Sequence, residues 1–205
     1  REFLLQSLDS QVKEQLHAKC VDWYTKQSSH HALKVELIYH LINSGKEDEA
    51  MTELVSSGRE LVGHGHMEIL TLIESIPRGK VEETHVAKVK QLKGEILMLQ
   101  GRLEEAKSVL SELRESLDKS DPRMNAEVIS ALADIARKQE KIDDALSMQR
   151  DALELFMQID DEVGAARTYN NMGYLFRRKR EKSKALDAYT QVEEILKLSG
   201  NKELI

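Results

Sequence analysis

The sequence predicts an all-α fold, an α-α superhelix (right-handed solenoid) of stacked helical hairpins. Self-similar segments recur in the second half of the chain at a period of about 40 residues, which is typical of repeat architectures. Only Pro77 and Pro122 interrupt the 205 residues, so little in the sequence prevents long helices. Hydrophobic residues make up 40% and charged residues 32%, a balance that suits helices with one buried stripe each.

The first 77 residues predict four helices separated by glycines and proline. Gly45, the pair Gly63 and Gly65, and Pro77 mark the breaks between them. Ala50, which ends the string SGKEDEA, resembles the alanine of the later repeats, but no second hairpin follows at a regular interval. The predicted helices cover residues 9–27, 31–43, 47–62 and 67–75.

The regular repeat comes from three segments that align without gaps. In each segment a small residue precedes an alanine by twelve positions, and the alanines lie at positions 106, 145 and 185, 39 and 40 residues apart. Small residues allow two antiparallel helices to approach closely at their crossing. The segments are GEILMLQGRLEEAKSVL (94–110), ADIARKQEKIDDALSMQ (133–149) and GYLFRRKREKSKALDAY (173–189).

Apolar spacing and helix-start signals support the same hairpins. Tyr169, Met172, Gly173 and Phe176 share one face of a helix, and Ala185, Tyr189 and Val192 share a face of the next helix. Asp121-Pro122 and the acidic stretch 160–162 are favourable helix starts.

These hairpins resemble the tetratricopeptide repeat, in a version of about 40 residues instead of about 34. The resemblance covers roughly residues 83–200, and RTYNNMGYLFRRKREKSKALDAY (167–189) matches best. The first hairpin departs from the family pattern, since Lys90 and Lys93 stand where apolar residues are usual. Its first helix could therefore be rotated about its axis.

The amino-terminal stretch resembles the segment that follows the winged-helix domain in signal-transduction ATPases with numerous domains (STAND ATPases), of the maltose-regulon activator type. The matching strings are LHAKCVDWY (16–24), HALKVELIYHLINSGKEDEAMTELV (31–55) and EILTLIESIP (68–77). The opening REFLLQSL is similar to the last helix of that winged-helix domain. The resemblance implies the end of a winged helix over 1–8, an irregular helical arm over 9–80 and tetratricopeptide-like repeats over 81–205, truncated at the carboxyl end.

Several function classes lack support in the sequence. There is no phosphate-binding loop, no nucleophile elbow and no grouping of nucleophile, base and orienting residue, so we expect no enzyme activity and no cofactor. A net charge of −6 argues against direct nucleic-acid binding. No apolar run approaches the roughly 20 residues of a membrane helix. The single Cys20 is more consistent with buried packing than with a reactive thiol, and it fits a reducing cytoplasm.

Two clusters of polar residues leave alternatives open. The pairs His30-His31 and His64-x-His66 could bind a transition metal weakly, but nothing supplies a third ligand, and the second pair equally suits a helix end. We therefore predict no metal site. The run from Arg177 to Arg180 is either a solvated helix end or an anion-binding patch.

A tetratricopeptide array binds ligands in its concave groove, which the first helix of each hairpin lines. The faces opposite the predicted core carry polar stripes with helical spacing. A tyrosine, an amide and arginines together could recognise a polar or anionic group, although an ordinary hydrophilic face is the alternative. The predicted groove residues are Glu127, Ser130, Asp134, Arg137 and Lys138 on one helix, and Arg167, Asn170, Tyr174, Arg177 and Arg178 on the other.

Two functions therefore compete. As a STAND sensor, the chain would bind a small polar or anionic inducer or a peptide, and would relay that binding to the nucleotide-binding and winged-helix domains of the same protein. As a constitutive tetratricopeptide scaffold, it would join proteins without a switch.

Overall fold

The computed structural model describes residues 8–27, 30–77, 83–117 and 121–199. Within these ranges the chain is all-helical, with ten helices and no strand. No described helix is both long enough and apolar enough to cross a membrane. The helices are α1 (Ser10–Gln27), α2 (His31–Asn43), α3 (Glu47–Gly63), α4 (Ile69–Ser75), α5 (Glu83–Leu99), α6 (Leu103–Ser116), α7 (Pro122–Lys138), α8 (Ile142–Gln158), α9 (Glu162–Arg178) and α10 (Lys182–Ser199).

The chain packs as two compact units, Arg1–Gln100 and Gly101–Ile205. The division follows α5, whereas the sequence placed the start of the repeats at residue 81. The first predicted repeat therefore contributes one helix to each unit. The predicted winged-helix remnant, residues 1–8, lies outside the described residues except for Leu8.

In the amino-terminal unit, three of the four predicted helices agree with the structure to within one residue at each end. The fourth begins at Ile69, because Gly65 adopts a φ of 88° and the His66 N–H bonds to the Leu61 carbonyl. The core contains fully buried aliphatic side chains from α2 to α5. The largest of them are Ile38, Leu54, Leu61, Ile69 and Ile96.

The orientation of helix α5 about its axis was uncertain from the sequence because of Lys90 and Lys93. Val89, Leu92 and Ile96 form its buried face, while Lys90 and Lys93 lie partly exposed beside it. The Lys93 ammonium lies 2.9 Å from the Glu74 carboxylate, so this lysine reaches a polar partner at the edge of the packed face. An apolar stripe is thus retained on α5 despite the lysines.

The carboxyl-terminal unit contains the regular hairpins, and α7 and α9 begin at the two predicted helix starts. The Asp121 carboxylate accepts from the Met124 N–H at 2.9 Å, and that of Asp161 accepts from the Gly164 N–H at 3.0 Å. At the predicted helix crossing, a Cβ on Gly173 would lie 2.6 Å from the Tyr189 ring. The small residue at this position is therefore required by the close approach of α9 and α10.

The hairpin turns share one backbone geometry that extends the repeat pattern. A residue with positive φ lies five positions before the buried alanine in each hairpin, and this includes the α2–α3 hairpin of the amino-terminal unit. The similarity of Ala50 to the repeat alanines therefore reflects a shared turn. The pairs are Gly45 and Ala50, Gly101 and Ala106, Glu140 and Ala145, and Arg180 and Ala185.

Candidate functional site

Three arginines surround one tyrosine in the carboxyl-terminal unit, and we call this group (Arg137, Tyr174, Arg177 and Arg178) the Tyr174 cluster. The guanidinium carbons of Arg137 and Arg177 lie 5.5 and 5.4 Å from the ring centroid of Tyr174, within cation–π range. An N–H of Arg178 donates to the Tyr174 hydroxyl at 3.4 Å. Helix α7 supplies Arg137 and helix α9 supplies the rest, so packing of the two helices assembles the cluster.

Two carboxylates neutralise part of the charge of the Tyr174 cluster. Asp134 accepts from the Arg137 Nε at 3.0 Å, and Glu140 accepts from an Arg178 Nη at 2.5 Å. Arg177 forms no ion pair with any described residue. Three cations against two carboxylates leave a local positive charge, and the partly exposed ring lies beside it.

The electrostatics of Tyr174 reflect these neighbours. The hydrogen bond from Arg178 lowers the pKa of the Tyr174 hydroxyl, and the positive charges of Arg178 and Arg137 act in the same direction. Partial desolvation opposes them with a smaller effect than that hydrogen bond. The cluster thus favours negative charge at the position of the phenol oxygen.

The structure brings together only part of the predicted groove set. Arg137, Tyr174, Arg177 and Arg178 meet in the cluster, with Asp134 attached through Arg137. Arg167, Asn170 and Lys138 are exposed on the same two helices, and Glu127 is partly exposed. Their assignment to a ligand site stays a prediction.

Ser130 has a partner inside its own hairpin. Its hydroxyl donates to the Gln149 amide oxygen of α8 at 3.3 Å. Gln149 is only 1% exposed, so this contact joins α7 to α8 at a buried position. The sequence stripe that included Ser130 did not reveal this role, since it considered each first helix alone.

The cation run lies at the end of α9, and its members have different surroundings. Lys179 pairs with Asp143 at 2.6 Å and Glu181 at 3.3 Å, while Arg180 occupies the turn with a φ of 63°. A helix end and an arginine cluster are therefore both present in this run. Glu140, the Arg178 partner, was missed because it lies in the turn of the preceding hairpin.

The histidine and cysteine candidates all lie in the amino-terminal unit. The second histidine pair marks a helix end as expected, since α3 ends at Gly63 and the His64 Nδ1 lies 2.8 Å from the Glu60 carbonyl oxygen. Cys20 is a free, partly buried thiol. Among the described residues, no group of three or more His, Cys, Asp and Glu side chains is arranged to hold a metal.

Comparison of the molecule with known proteins supports the repeat assignment. The family model described as tetratricopeptide repeat matches residues 123–197, which span α7 to α10. No curated protein matches the chain in sequence.

Solved structures resemble the chain in fold at low sequence identity. MamA (41-end) from Desulfovibrio magneticus RS-1 has a TM-score of 0.62 at 17% identity, covering 90% of this chain and 96% of MamA. BtubC (BKLC) from P. vanneervenii has a TM-score of 0.57 at 17% identity, covering 97% of this chain and 78% of BtubC. PlcR of Bacillus thuringiensis was solved with the peptide PapR7 and DNA. It has a TM-score of 0.56 at 12% identity, covering 92% of this chain and 66% of PlcR. The family match supports tetratricopeptide repeats over residues 123–197, and these helical neighbours are consistent with an α-α superhelical fold.

Proposed function

We propose that the carboxyl-terminal unit binds an anionic group of a small polar inducer or a peptide at the Tyr174 cluster. We further propose that the chain is the non-catalytic sensor region of a STAND ATPase, which relays this binding to a nucleotide-binding domain. The observation that carries the ligand proposal is the placement of three guanidinium groups around one partly exposed ring.

The chemistry of the cluster suits an anion better than a neutral ligand. Arg177 forms no ion pair with a described residue, so its guanidinium can offer a two-pronged hydrogen bond to a carboxylate or a phosphate. The Tyr174 ring adds contact area for an adjacent planar or apolar group of the ligand. Asp134 and Glu140 hold Arg137 and Arg178 in place, which lowers the entropic cost of presenting them.

A peptide is one plausible carrier of the anionic group. Tetratricopeptide arrays present extended concave surfaces on which other molecules bind. PlcR, which shares only the fold with this chain, was solved in complex with a peptide and DNA. Acidic peptides therefore belong in a ligand screen beside small anions.

The ligand proposal can be tested by thermal shift against a panel of anionic metabolites and acidic peptides. A ligand present at 100 times its Kd stabilises the folded protein by about 2.7 kcal/mol. We expect Tyr174→Ala and Arg177→Ala to weaken a hit by about tenfold each, without unfolding the protein. Arg150→Ala, an exposed arginine on α8, is the matched control and should bind normally. Equal binding by all three variants contradicts the assignment.

The scaffold function is the alternative, and it is favoured by the tetratricopeptide match itself. A scaffold should bind a protein partner constitutively and give no small-molecule hit. The sensor proposal requires a phosphate-binding loop upstream in the same gene. Its absence from the full-length sequence would remove the ATPase proposal while leaving the ligand site open to test.

A further inference from the structure

Helix α1 is attached to α2 partly through a titratable side chain. The buried side chains of α1 are those of His17 and Val21, and α1 packs on α2. His17 is 7% exposed, and its ring lies against side chains of α2. One of the two buried side chains of this helix can therefore gain a charge within the pH range in which histidine titrates.

The His17 ring meets His40 of α2 through the same nitrogen on each side, and we call these two residues the imidazole pair. The two Nδ1 atoms lie 2.7 Å apart, which is a hydrogen-bonding distance. An imidazole nitrogen donates when it carries a proton and accepts when it does not, so this contact holds one proton between the two rings. A second proton would place two N–H groups against each other and a positive charge on both rings.

The carboxylates of α1 and α2 near the imidazole pair do not compensate a charge on His17. Among the described residues, no carboxylate forms an ion pair with His17. The Glu36 carboxylate of α2 lies 4.0 Å from the Nε2 of His40, the nitrogen that does not meet His17. Glu14, one turn before His17, has a carboxylate oxygen 3.4 Å from the place of a Cβ on Gly45, in the turn after α2. A first proton is therefore best held by His40, with His17 as the neutral acceptor.

Two tyrosine rings complete the surroundings of the imidazole pair. Tyr24 of α1 stacks on His40 with ring centroids 5.2 Å apart, and Tyr39 of α2 meets the His17 ring edge-on at 5.6 Å. Carboxylates ordinarily titrate near about pH 4 and tyrosines near about pH 10, so neither changes its charge in the histidine range.

The direction of the pH dependence follows from the burial of His17. Burial lowers the pKa of His17, so α1 binds fewer protons there when it is packed on α2 than when it is free. This contribution to packing is fully present above the ordinary histidine pKa. It is lost as the pH falls through that value towards the lower pKa of the packed helix.

We propose that the imidazole pair is an acid-sensitive contact, and that protonation of both rings releases α1 from α2. The doubly protonated pair loses its hydrogen bond and gains a repulsion between two cations, which leaves Val21 as the other buried side chain of the helix. The carboxyl-terminal unit contains no histidine, so its helices should keep their packing over the same pH range. This proposal does not depend on the anion site proposed at the Tyr174 cluster.

A second contact between imidazoles, where α2 meets α3, has different surroundings. His31 at the start of α2 stacks on His64 after α3, with ring centroids 3.7 Å apart. The Glu60 carboxylate, which also pairs with Lys34, lies 3.8 Å from the His31 Nδ1, so a proton gained there meets a negative charge. Protonation should therefore weaken this contact less than the imidazole pair, and His31 provides a matched control.

Hydrogen–deuterium exchange of the full chain tests the release. Protection of the α1 amides is measured by mass spectrometry at pH 7.5 and pH 5.5, on either side of the ordinary histidine pKa, with each rate divided by the intrinsic rate at that pH. We expect protection in α1 to fall by about fivefold at the lower pH, and protection in α7 to α10 to change by less than about twofold. Unchanged protection in α1, or an equal fall in all helices, would overturn the proposal.

Four single variants assign the response to the imidazole pair. His17→Gln and His40→Gln cannot place two positive rings together, so α1 should keep its protection at the lower pH. His17→Lys carries a positive charge at both pH values and should release α1 at the higher pH as well. His31→Gln should respond to acid as the unchanged chain does. The proposal is wrong if the acid response persists in both glutamine variants of the pair, if α1 stays protected in His17→Lys, or if His31→Gln loses the response.

Cys20 gives a second measurement on the same helix. It is the single cysteine of the chain, lies on α1 and is partly buried. Its rate of reaction with dithiodipyridine is compared with that of the urea-unfolded chain at the same pH, which cancels the ordinary pH dependence of a thiol. We expect this relative rate to rise at the lower pH in the unchanged chain and to stay constant in His17→Gln. An equal relative rate at both pH values in the unchanged chain would show that α1 stays packed, and would exclude its release.

Discussion

The two units hold their helices together with different side chains. In the carboxyl-terminal unit the helix crossings use small residues, such as Ala133, Ala145 and Gly173, and the unit contains no histidine. In the amino-terminal unit, imidazole rings lie between helices, and all seven histidines of the chain belong to this unit. A regular repeat therefore coincides with close backbone packing, and an irregular array coincides with polar contacts between large rings.

Two histidine contacts illustrate the second kind of packing. The Nδ1 atoms of His17 on α1 and His40 on α2 lie 2.7 Å apart, with Tyr24 stacked on His40. His31 at the start of α2 stacks on His64 after α3, with ring centroids 3.7 Å apart. The His17–His40 contact depends on the tautomers of the two rings as well as on shape, whereas the alanine crossings depend on shape alone.

The largest expected difference between the units concerns glycine at helix contacts. A Cβ on Gly173 would lie 2.6 Å from the rigid Tyr189 ring, so Gly173→Ala should destabilise the carboxyl-terminal unit by about 2 kcal/mol. A Cβ on Gly58 would meet only the end of the flexible Leu92 side chain. Because Leu92 can change rotamer and alanine favours a helix by about 1 kcal/mol, Gly58→Ala should be nearly neutral.

Urea unfolding followed by circular dichroism measures both glycine variants. Trp23, the single tryptophan, reports on the amino-terminal unit by fluorescence and should show little change for Gly58→Ala. Equal destabilisation by the two substitutions would contradict the explanation that the rigid Tyr189 ring makes Gly173→Ala costly while the flexible Leu92 side chain tolerates Gly58→Ala.

A smaller difference is expected at helix starts. Asp161 caps α9 through the Gly164 N–H, so Asp161→Ala should cost about 1 kcal/mol of stability. Asp9 before α1 accepts a similar bond from the Gln11 N–H, whereas the N-cap residues of α2, α3, α4, α6 and α8 make no side-chain cap bond. Lys46→Ala at the start of α3 is the matched control in the same unfolding assay. A comparable loss for Lys46→Ala would show that the cap bond of Asp161 is not the source of the loss.

The smallest expected difference is the response to acid. Burial lowers the pKa of His17, so the folded unit binds fewer protons there than the unfolded chain does. Stability is thus fully present above the ordinary histidine pKa, and is lost as the pH falls through it towards the folded value. Between pH 8 and pH 5 we therefore expect the urea midpoint of Trp23 fluorescence to fall, in part because of this residue.

His17→Gln should remove that part of the acid response, and His30→Gln, at an exposed position, should retain it. An unchanged pH dependence in His17→Gln would exclude the His17 contact as its source. The carboxyl-terminal unit contains no histidine, so no histidine contribution to the acid response is expected from it.

Local signals in the sequence predicted much of the fold. Asp121 was identified as a cap, and its bond to the Met124 N–H is present. The acidic stretch 160–162 was identified as a helix start through the helix dipole, and the structure adds a cap bond from the Gly164 N–H to Asp161. Ala106, Ala145 and Ala185 were identified from spacing, and all three are buried. The sequence alone could not decide whether α5 is rotated about its axis, because Lys93 forms its ion pair with Glu74 on another helix.

The candidate site was predictable only in part. Helical spacing placed Tyr174, Arg177 and Arg178 on or near one face, and their contact follows from that spacing. The joining of Arg137 to this group, and the bond between Glu140 and Arg178, required the packing of one hairpin on the next. Ser130 was predicted as a groove residue from its position on a polar stripe. That position did not reveal its hydrogen bond to the buried Gln149 of the next helix.

By itself the sequence determined the all-α class, the hairpin period and the starts of α7 and α9, because each of these depends on local sequence patterns. Only the tertiary structure decided the division after Gln100 and the Tyr174 cluster. The Tyr174 cluster arises where side chains about one repeat apart meet, and the division reflects which helices pack on one another. Their geometry depends on how neighbouring helices pack, which no local pattern encodes.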